Sequence, residues 1–305
     1  MNEMPSVSVA VVTWNAERFI KDCLDSVFAQ NIPGLEIIVA DNGSSDATID
    51  ILKTYAGRIL LICNDRNQGF CAANNQALLK AAGRYVLTLN SDIILDKDYI
   101  AGLVRCLEEN PRVGMVQGKI LRMDKKTIDC LGLRIGWGTR FHNIAEGKPD
   151  SGAYAPEREI FGPCAAAALY RRELLNDIRW GDEFFDNRFF FLAEDFDLAW
   201  RARHKGWTAL YTSRTQCYHY RDSSAHKSSF RQYLSFRNRY FLIIKNARFK
   251  PRLAPEVVSS VLFYDIPRFI LLFFTNPYTI KAVREILAHF PELWAKRKKG
   301  LLCKR

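Results

Sequence analysis

The chain has 305 residues, 48% of them hydrophobic and 25% charged, enough for one large domain or two small ones. Its formal charge of +11 is uneven: residues 221–305 carry 18 Lys/Arg against 5 Asp/Glu, a net of +13, while residues 1–220 sum to −2. The eight cysteines form no Cys-x-x-Cys pair, which excludes the common zinc frameworks.

Val7–Thr13 is a continuous apolar run, as expected of a strand buried on both faces of a parallel sheet. Over residues 16–30, Phe19, Ile20, Cys23, Leu24, Val27 and Phe28 share one helical face. Residues 36–40 form a second strand ending at Asp41. Asn42-Gly43-Ser44-Ser45 is turn chemistry, and Asp46 is placed to cap the next helix. A third strand over 59–63, a loop over 64–69, a helix over 71–81 and a fourth strand over 85–89 follow, the last ending in Asn90-Ser91-Asp92. Alternation of this kind predicts a mostly parallel, doubly wound α/β sheet flanked by helices. Beyond it, 113–119 reads as a strand and 134–160, rich in Gly, Pro and polar residues, as a long loop. Residues 171–173 start a short helix. A helix over 194–205 stops at Gly206, 208–211 is the last strand, and everything from Ser228 reads as helical.

Ends of parallel strands converge on one sheet edge, where ligands bind. Asp41, Asp92 and the cluster Glu194, Asp195 and Asp197, which follows Phe189-Phe190-Phe191, are therefore the informative residues. Acids gathered there repel unless something positive lies between them, which points to a divalent cation, a nucleotide and a hydroxyl awaiting deprotonation. Asp41 can accept the N3–H of uracil or thymine while the backbone around Thr13 holds the other base edge; standing alone, it reads as a turn residue. Gly69 allows close backbone approach to a ligand, and Asn64, Asn67, Asn74 and Asn75 both donate and accept, with a capped loop as the plain alternative. Asp92, with open positions for water and phosphate oxygens, suits Mg2+ or Mn2+. For the acidic cluster, the plain alternative is a helix N-terminus whose dipole favours acids.

In order and spacing, residues 11–15, 41–46, 67–75, 89–92 and 191–206 (FLAEDFDLAWRARHKG) resemble the family 2 glycosyltransferases, over roughly residues 6–245. Asn67-Gln68-Gly69-Phe70, Glu194-Asp195 and Ser235-Phe236-Arg237-Asn238-Arg239 look similar to bacterial rhamnosyltransferases of cell-surface polysaccharide assembly. The resemblance implies a GT-A fold over residues 1–220 and an inverting transfer, by direct displacement, from a nucleotide sugar (dTDP-rhamnose, or a UDP-sugar). Thr13, Asn15, Asp41, Asn67, Gly69 and Asn90 would bind the nucleotide. Asn90 and Asp92 fall on the family's metal-binding Asp-x-Asp, with Asn90 replacing its first acid. Asp195 falls on the catalytic base, and Glu194, one residue away, competes for that role. His219 becomes a candidate second metal ligand and Arg237 a diphosphate contact; a structural histidine and a solvated helix face are their rivals.

Residues 257–274 and 278–294 are apolar and aromatic, and Lys296-Arg297-Lys298-Lys299 and Lys304-Arg305 follow. Apolar faces beside basic clusters suit helices lying on an anionic membrane. The run over 257–274 is broken by Asp265, Pro267 and Arg268 and does not read as a spanning helix. The basic region 221–305 is expected to hold the chain on the inner face of the cytoplasmic membrane, near a lipid-linked saccharide acceptor and without nucleic acid. A helical dimer interface is the rival use of the same surface. Without an N-terminal signal the chain reads as cytoplasmic. Two other functions compete with transfer. A sugar-phosphate nucleotidyltransferase wants a Gly-rich phosphate loop where this chain has Thr13-Trp14-Asn15, and a non-enzymatic membrane- or nucleic-acid-binding protein leaves the acids unexplained.

Overall fold

A computed structural model describes residues 6–221, 226–247 and 254–302. Four parallel strands, β1 (Val7–Thr13), β2 (Glu36–Asp41), β3 (Leu60–Cys63) and β4 (Tyr85–Asn90), lie in the order β3-β2-β1-β4. Register runs from Ser8 opposite Glu36 to Thr13 opposite Asp41, so the ends of β1 and β2 are level. Side chains alternate across the sheet. Val7, Val9 and Val11 of β1 pack with α1 (Ile20–Phe28) and α4 (Tyr99–Glu109), whereas Ala10 and Val12 join the core on the other face with α3 (Phe70–Lys80). Covered on both sides, β1 is apolar at nearly every position.

Past β4 the sheet continues through β11 (Ala167–Arg171), antiparallel to β4, then β6 (Val113–Arg122), β12 (Thr208–His219) and β10 (Arg158–Ile160). Four short strands complete the set: β5 (Ile93–Leu95) on β12, β7 (Ile128–Cys130) on β6, and the hairpin of β8 (Leu133–Gly136) with β9 (Arg140–Asn143). The stretch 134–160 is thus not one loop. Its strands are three or four residues long and polar, so no apolar alternation marks them. The hairpin is held by Phe141 on Phe196 and Trp200, 55 and 59 residues downstream. β12 also runs eight residues beyond the expected end at Tyr211. Its polar continuation pairs past an irregularity between Tyr211 and Gln216 with Lys119–Arg122 and Ile93–Leu95. That extension brings His219 opposite Ile93, beside Asp92.

The short helices α2 (Thr48–Lys53) and α5 (Arg172–Ile178) flank the sheet, and α6 (Glu194–His204) carries the acids. The C-terminal part is helical, as expected: α7 (Ser228–Asn246), α8 (Ala254–Ser260), α9 (Ile266–Thr275) and α10 (Thr279–Leu302). A π turn over Val261–Asp265 joins α8 to α9 without a break. Pro267, the second residue of α9, follows directly on that π turn, the kind of local irregularity that accompanies a proline within a helix. The resulting run Val258–Thr275 is, by length and composition, sufficient to cross a membrane, which the interruptions in the sequence had argued against. Asp265 turns inward onto Arg239 at 2.9 Å, so the charge does not interrupt the outer face. Seven cysteines are free thiols among the described residues, and Cys63 is exposed. Lys304 and Arg305 lie outside the described residues.

Candidate active site

A cavity of about 300 Å3 opens at the edge where β1, β2 and β4 end. Its walls are Thr13, Trp14 and Asn15 after β1, Asn42 after β2, Asn67 and Gly69 before α3, and Asn90, Ser91 and Asp92 after β4. His219 and Arg221 enter from the end of β12, Phe190, Phe191 and Leu192 from the turn before α6, and His226 and Arg231 from the start of the C-terminal helices.

The loops are fixed by side chains. The Asn42 amide donates to the Gly69 carbonyl at 3.0 Å and to Asn67 Oδ1 at 3.3 Å, and accepts from Asn64 at 3.1 Å. Asn15, at φ 50°, accepts the Ser45 N–H at 2.8 Å, joining the ends of β1 and β2. Asp41 is buried in its own turn: its carboxylate accepts the Gly43 and Ser44 N–H groups at 3.0 and 2.9 Å and the Ser44 hydroxyl at 2.5 Å. Asn42, its neighbour, lines the cavity, and Asp41 does not. Gly69 has φ +90°, and a Cβ there would lie 2.5 Å from Cδ2 of Phe190. What approaches this glycine closely is the aromatic wall.

Two buried polar atoms in the cavity wall, Thr13 Oγ1 and Asn90 Oδ1, have no hydrogen-bond partner among the described residues. Each such atom costs about 1–3 kcal/mol, and both mark a place where a polar ligand would restore the bond. Deeper in, His219 lies between two carboxylates, with Nε2 3.1 Å from Asp92 Oδ2 and Nδ1 2.8 Å from Asp129 Oδ2. Burial opposes its charge but is outweighed by those two acids, which raise its pKa to about 9. Arg221 pairs with Asp129 and, at 2.6 Å, with Glu146.

This arrangement fits a divalent cation. Asp92 Oδ2 and His219 Nε2, 3.1 Å apart, are the carboxylate and imidazole donors that would hold one, once the imidazole gives up its Nε2 proton. Asp129 on the far nitrogen fixes the ring, as a carboxylate behind a ligating histidine does. No group of three or more His, Cys, Asp or Glu side chains among the described residues is placed to hold a metal. Two such ligands would leave positions for phosphate oxygens and water.

The acids of α6 stand beside this edge. Asn90 donates its N–H to the Ala166 carbonyl at 2.9 Å, and the adjacent Ala165 N–H, with that of Phe196, donates to the Asp195 carboxylate. Burial raises Asp195 to about 6 against these amides. Glu194 is driven well above the usual carboxylate range by burial and then by Asp195, and its Oε2 is buried without a partner among the described residues. Asp197 belongs elsewhere. It is fully buried against Arg201 at 2.9 Å, Lys245 at 2.8 Å and Asn246 at 2.8 Å, in a network that continues to Asp186.

Leading into α6, Phe190, Leu192 and Ala193 all have positive φ (65°, 68° and 73°). Non-glycine residues held this way cost about 1–3 kcal/mol each and persist only when their surroundings enforce them. The enforcing groups are on α7. The Asn238 amide donates to the carbonyls of Phe189, Phe191 and Leu192 at 3.0, 2.9 and 2.7 Å. Arg237 donates to those of Arg188 and Phe189 at 2.8 and 3.1 Å and pairs with Glu285 at 2.7 Å. Arg237 therefore does not reach the cavity, where the arginines are Arg221 and Arg231. It holds the turn that aims Glu194 and Asp195.

The family model described as glycosyl transferase family 2 matches residues 8–179, more than half of the chain. The chain belongs to this family. It is 41% identical over 100 residues to the putative teichuronic acid biosynthesis glycosyltransferase TuaG of Bacillus subtilis, covering 32% of this chain and 40% of that protein. The chain spans half or less of the length of the curated relatives it matches. Among solved structures, GalNAc-T7 with UDP, GalNAc and Mn2+ superposes at TM-score 0.62 with 13% identity, over 80% of this chain and 48% of that one. A mannosyltransferase from Pyrobaculum calidifontis, in complex with GDP-Man and Mn2+, superposes at 0.58 with 17% identity, over 99% and 86%. At these identities the likeness shows the fold, which is GT-A.

Within this family 2 fold, Thr13, Asn15, Asn67, Gly69, Asn90, Asp92 and His219 meet in one cavity; Asp195 and Glu194 do not line it, and Asp195 is tied to the neighbouring strand edge through the Ala165 amide. Sequence reasoning missed Trp14, Asp129 and His226. The His226 ring stacks 4.7 Å from Trp14 and 4.8 Å from Phe191. Trp14 was signalled by its place between Thr13 and Asn15; Asp129 and His226 carried no local signal.

Proposed function

We propose that this cavity takes a nucleoside diphosphate sugar and that the chain transfers the sugar, with inversion, to the hydroxyl of a lipid-linked or polysaccharide acceptor. One observation supports the reading: Asp92, His219, Asn90 and Thr13 line one cavity where the strands end, and Asp195 binds the Ala165 amide, next to the Ala166 carbonyl that accepts from Asn90. Trp14 offers a flat face to the base, and Thr13 Oγ1 and Asn90 Oδ1 offer unused acceptors and donors to the nucleotide. A divalent cation, Mn2+ or Mg2+, held by Asp92 and His219 would supply Lewis-acid neutralisation of the diphosphate.

The acceptor oxygen forms a bond to the anomeric carbon as the bond to the departing diphosphate breaks, and the nucleoside diphosphate leaves with the electron pair. Asp195 takes the hydroxyl proton. A carboxylate raised to about 6 is ionised at neutral pH and still a stronger base than an exposed aspartate. Such assistance is worth about 10² to 10⁴-fold in rate. Glu194, held further toward its protonated form, leaves Asp195 as the base.

The donor in this reading is dTDP-L-rhamnose, and residues 1–220 form the catalytic unit, with 221–305 as its membrane-facing part. The outer face of α8 to α10 presents Phe263, Leu271, Phe274 and Leu287, between 62% and 80% exposed. Such a face, in a region of net +13, suits the surface of an anionic leaflet. The inward Asp265–Arg239 pair ties the run to α7, which favours lying on the leaflet over crossing it. Thermal shifts with dTDP, UDP and GDP, with and without Mn2+, test the donor: stabilisation by UDP and not dTDP removes the dTDP-sugar assignment. Product masses from a panel of lipid-linked saccharides test the acceptor, and flotation with phosphatidylglycerol vesicles tests the surface.

A further inference from the structure

An apolar groove of about 280 Å3 lies between α7, α9 and α10, away from the cavity. Its floor is Phe236 and Tyr240, and its walls include Val261, Phe269, Val283 and Leu287. The carboxylate beside it, Asp265, is taken up by Arg239 at 2.9 Å. A flat bilayer surface leaves a concave groove unfilled. Its lining, apolar apart from Asp265, suits a hydrocarbon chain.

A cation beside the floor residue Phe236 identifies the chain's head. Arg268 donates to the Ser235 hydroxyl at 3.1 Å and to the Tyr264 hydroxyl at 3.4 Å, and lies 5.8 Å from the Phe236 ring. Those bonds leave its charge for an anion. Ser235 is one turn along α7 from Arg231, which lines the active cavity, and Phe236 and Tyr240 follow at about 7.5 and 13.5 Å from Arg231. Along one helix the order is cavity, cation, apolar groove. A saccharide joined through phosphate to a long hydrocarbon has the same order.

We propose that this groove seats the hydrocarbon chain of a polyprenyl-phosphate-linked acceptor, with Arg268 on its phosphate and its saccharide directed to the cavity. This rests on the reading of the acceptor as lipid-linked. The test is photolabelling of the full chain, in detergent micelles, by a diazirine-bearing polyprenyl phosphate, with sites mapped by mass spectrometry. Label is expected on the groove segments 261–269 and 283–287. Leu287→Trp, a change at a surface position that fills the groove, should cut it by about tenfold. Arg268→Gln should weaken labelling by the phosphate probe and leave labelling by the uncharged polyprenol unchanged. Label spread over the whole exposed face and unaffected by Leu287→Trp overturns the proposal. Equal competition by diacyl phosphatidylglycerol overturns it in favour of a bilayer lipid, and a dimer in sedimentation that Leu287→Trp dissociates overturns it in favour of a second copy. Labelling needs no turnover: groove labelling without transfer to any lipid-linked saccharide rejects the acceptor reading, whereas transfer without groove labelling rejects the groove alone.

Discussion

Replacing Asn238 by alanine removes the amide that spans the carbonyls of Phe189, Phe191 and Leu192. Its two N–H protons are worth about 1 kcal/mol each, so about 2 kcal/mol in all. The two charge-assisted bonds from Arg237 to Arg188 and Phe189 add about 3–6 kcal/mol. Against them stand three positive-φ residues, Phe190, Leu192 and Ala193, at about 3–9 kcal/mol together. Clamp and strain are of one size, so losing Asn238 lets the turn relax and moves the acids that follow it. Asn238→Ala should lower kcat by about 10 to 100-fold while leaving the dissociation constant for the nucleotide within a factor of two or so. The accompanying loss of about 2 kcal/mol lowers Tm by about 4 °C. Single-turnover kinetics and calorimetric titration with the nucleotide separate these effects. A variant with lowered Tm and undiminished kcat would refute the reasoning, because the clamp would then stabilise the fold without aiming Glu194 and Asp195.

Three further outcomes follow from the same geometry. Asp195 binds its proton more tightly folded (about 6) than at its ordinary 3.8, so the native state holds the extra proton between these values. Stability should therefore fall as pH rises from about 4 to about 6, kcat should climb through about pH 6, and Asp195→Asn should abolish transfer and raise Tm at pH 7.5; a pH-rate profile flat from 5 to about 7 removes Asp195 as base. Asp129→Asn weakens the orientation of His219 and should cost about 10 to 100-fold in Mn2+ affinity by isothermal titration; unaltered affinity takes His219 out of the metal site. Gly69→Ala places a Cβ 2.5 Å from the Phe190 ring at φ +90°, and urea denaturation should show a loss of about 2–4 kcal/mol; a neutral substitution means the aromatic wall is free to move.

Local pattern was enough for the first half of the molecule. The apolar run of β1 and the alternation of strand and helix up to Asn90 follow from short-range periodicity, and a parallel sheet places the ends of β1, β2 and β4 on one edge. Thr13, Asn15, Asn67, Asn90 and Asp92 could be named for that reason: each ends a strand or lies within three residues of a strand end or helix start at that edge. Asp41 shares the position, and local chemistry again decides its bonds, through the Gly43 and Ser44 amides of its own turn.

Tertiary structure alone decided what each charged side chain meets. His219 acquires its setting from Asp129, 90 residues away, and reaches it only because β12 continues past a register shift that no apolar alternation marks. Arg237 and Asn238 were visible as a motif, but their partners are backbone carbonyls 46 to 49 residues upstream, which carry no side-chain signature. Asp197 looked like its neighbours Glu194 and Asp195 until Lys245 and Arg201 neutralised it. Asp265 seemed to interrupt an apolar helix until Arg239 drew it inward. Secondary structure follows from neighbours in sequence, whereas the state of a buried charge depends on the group that compensates it, and folding can draw that group from anywhere in the chain.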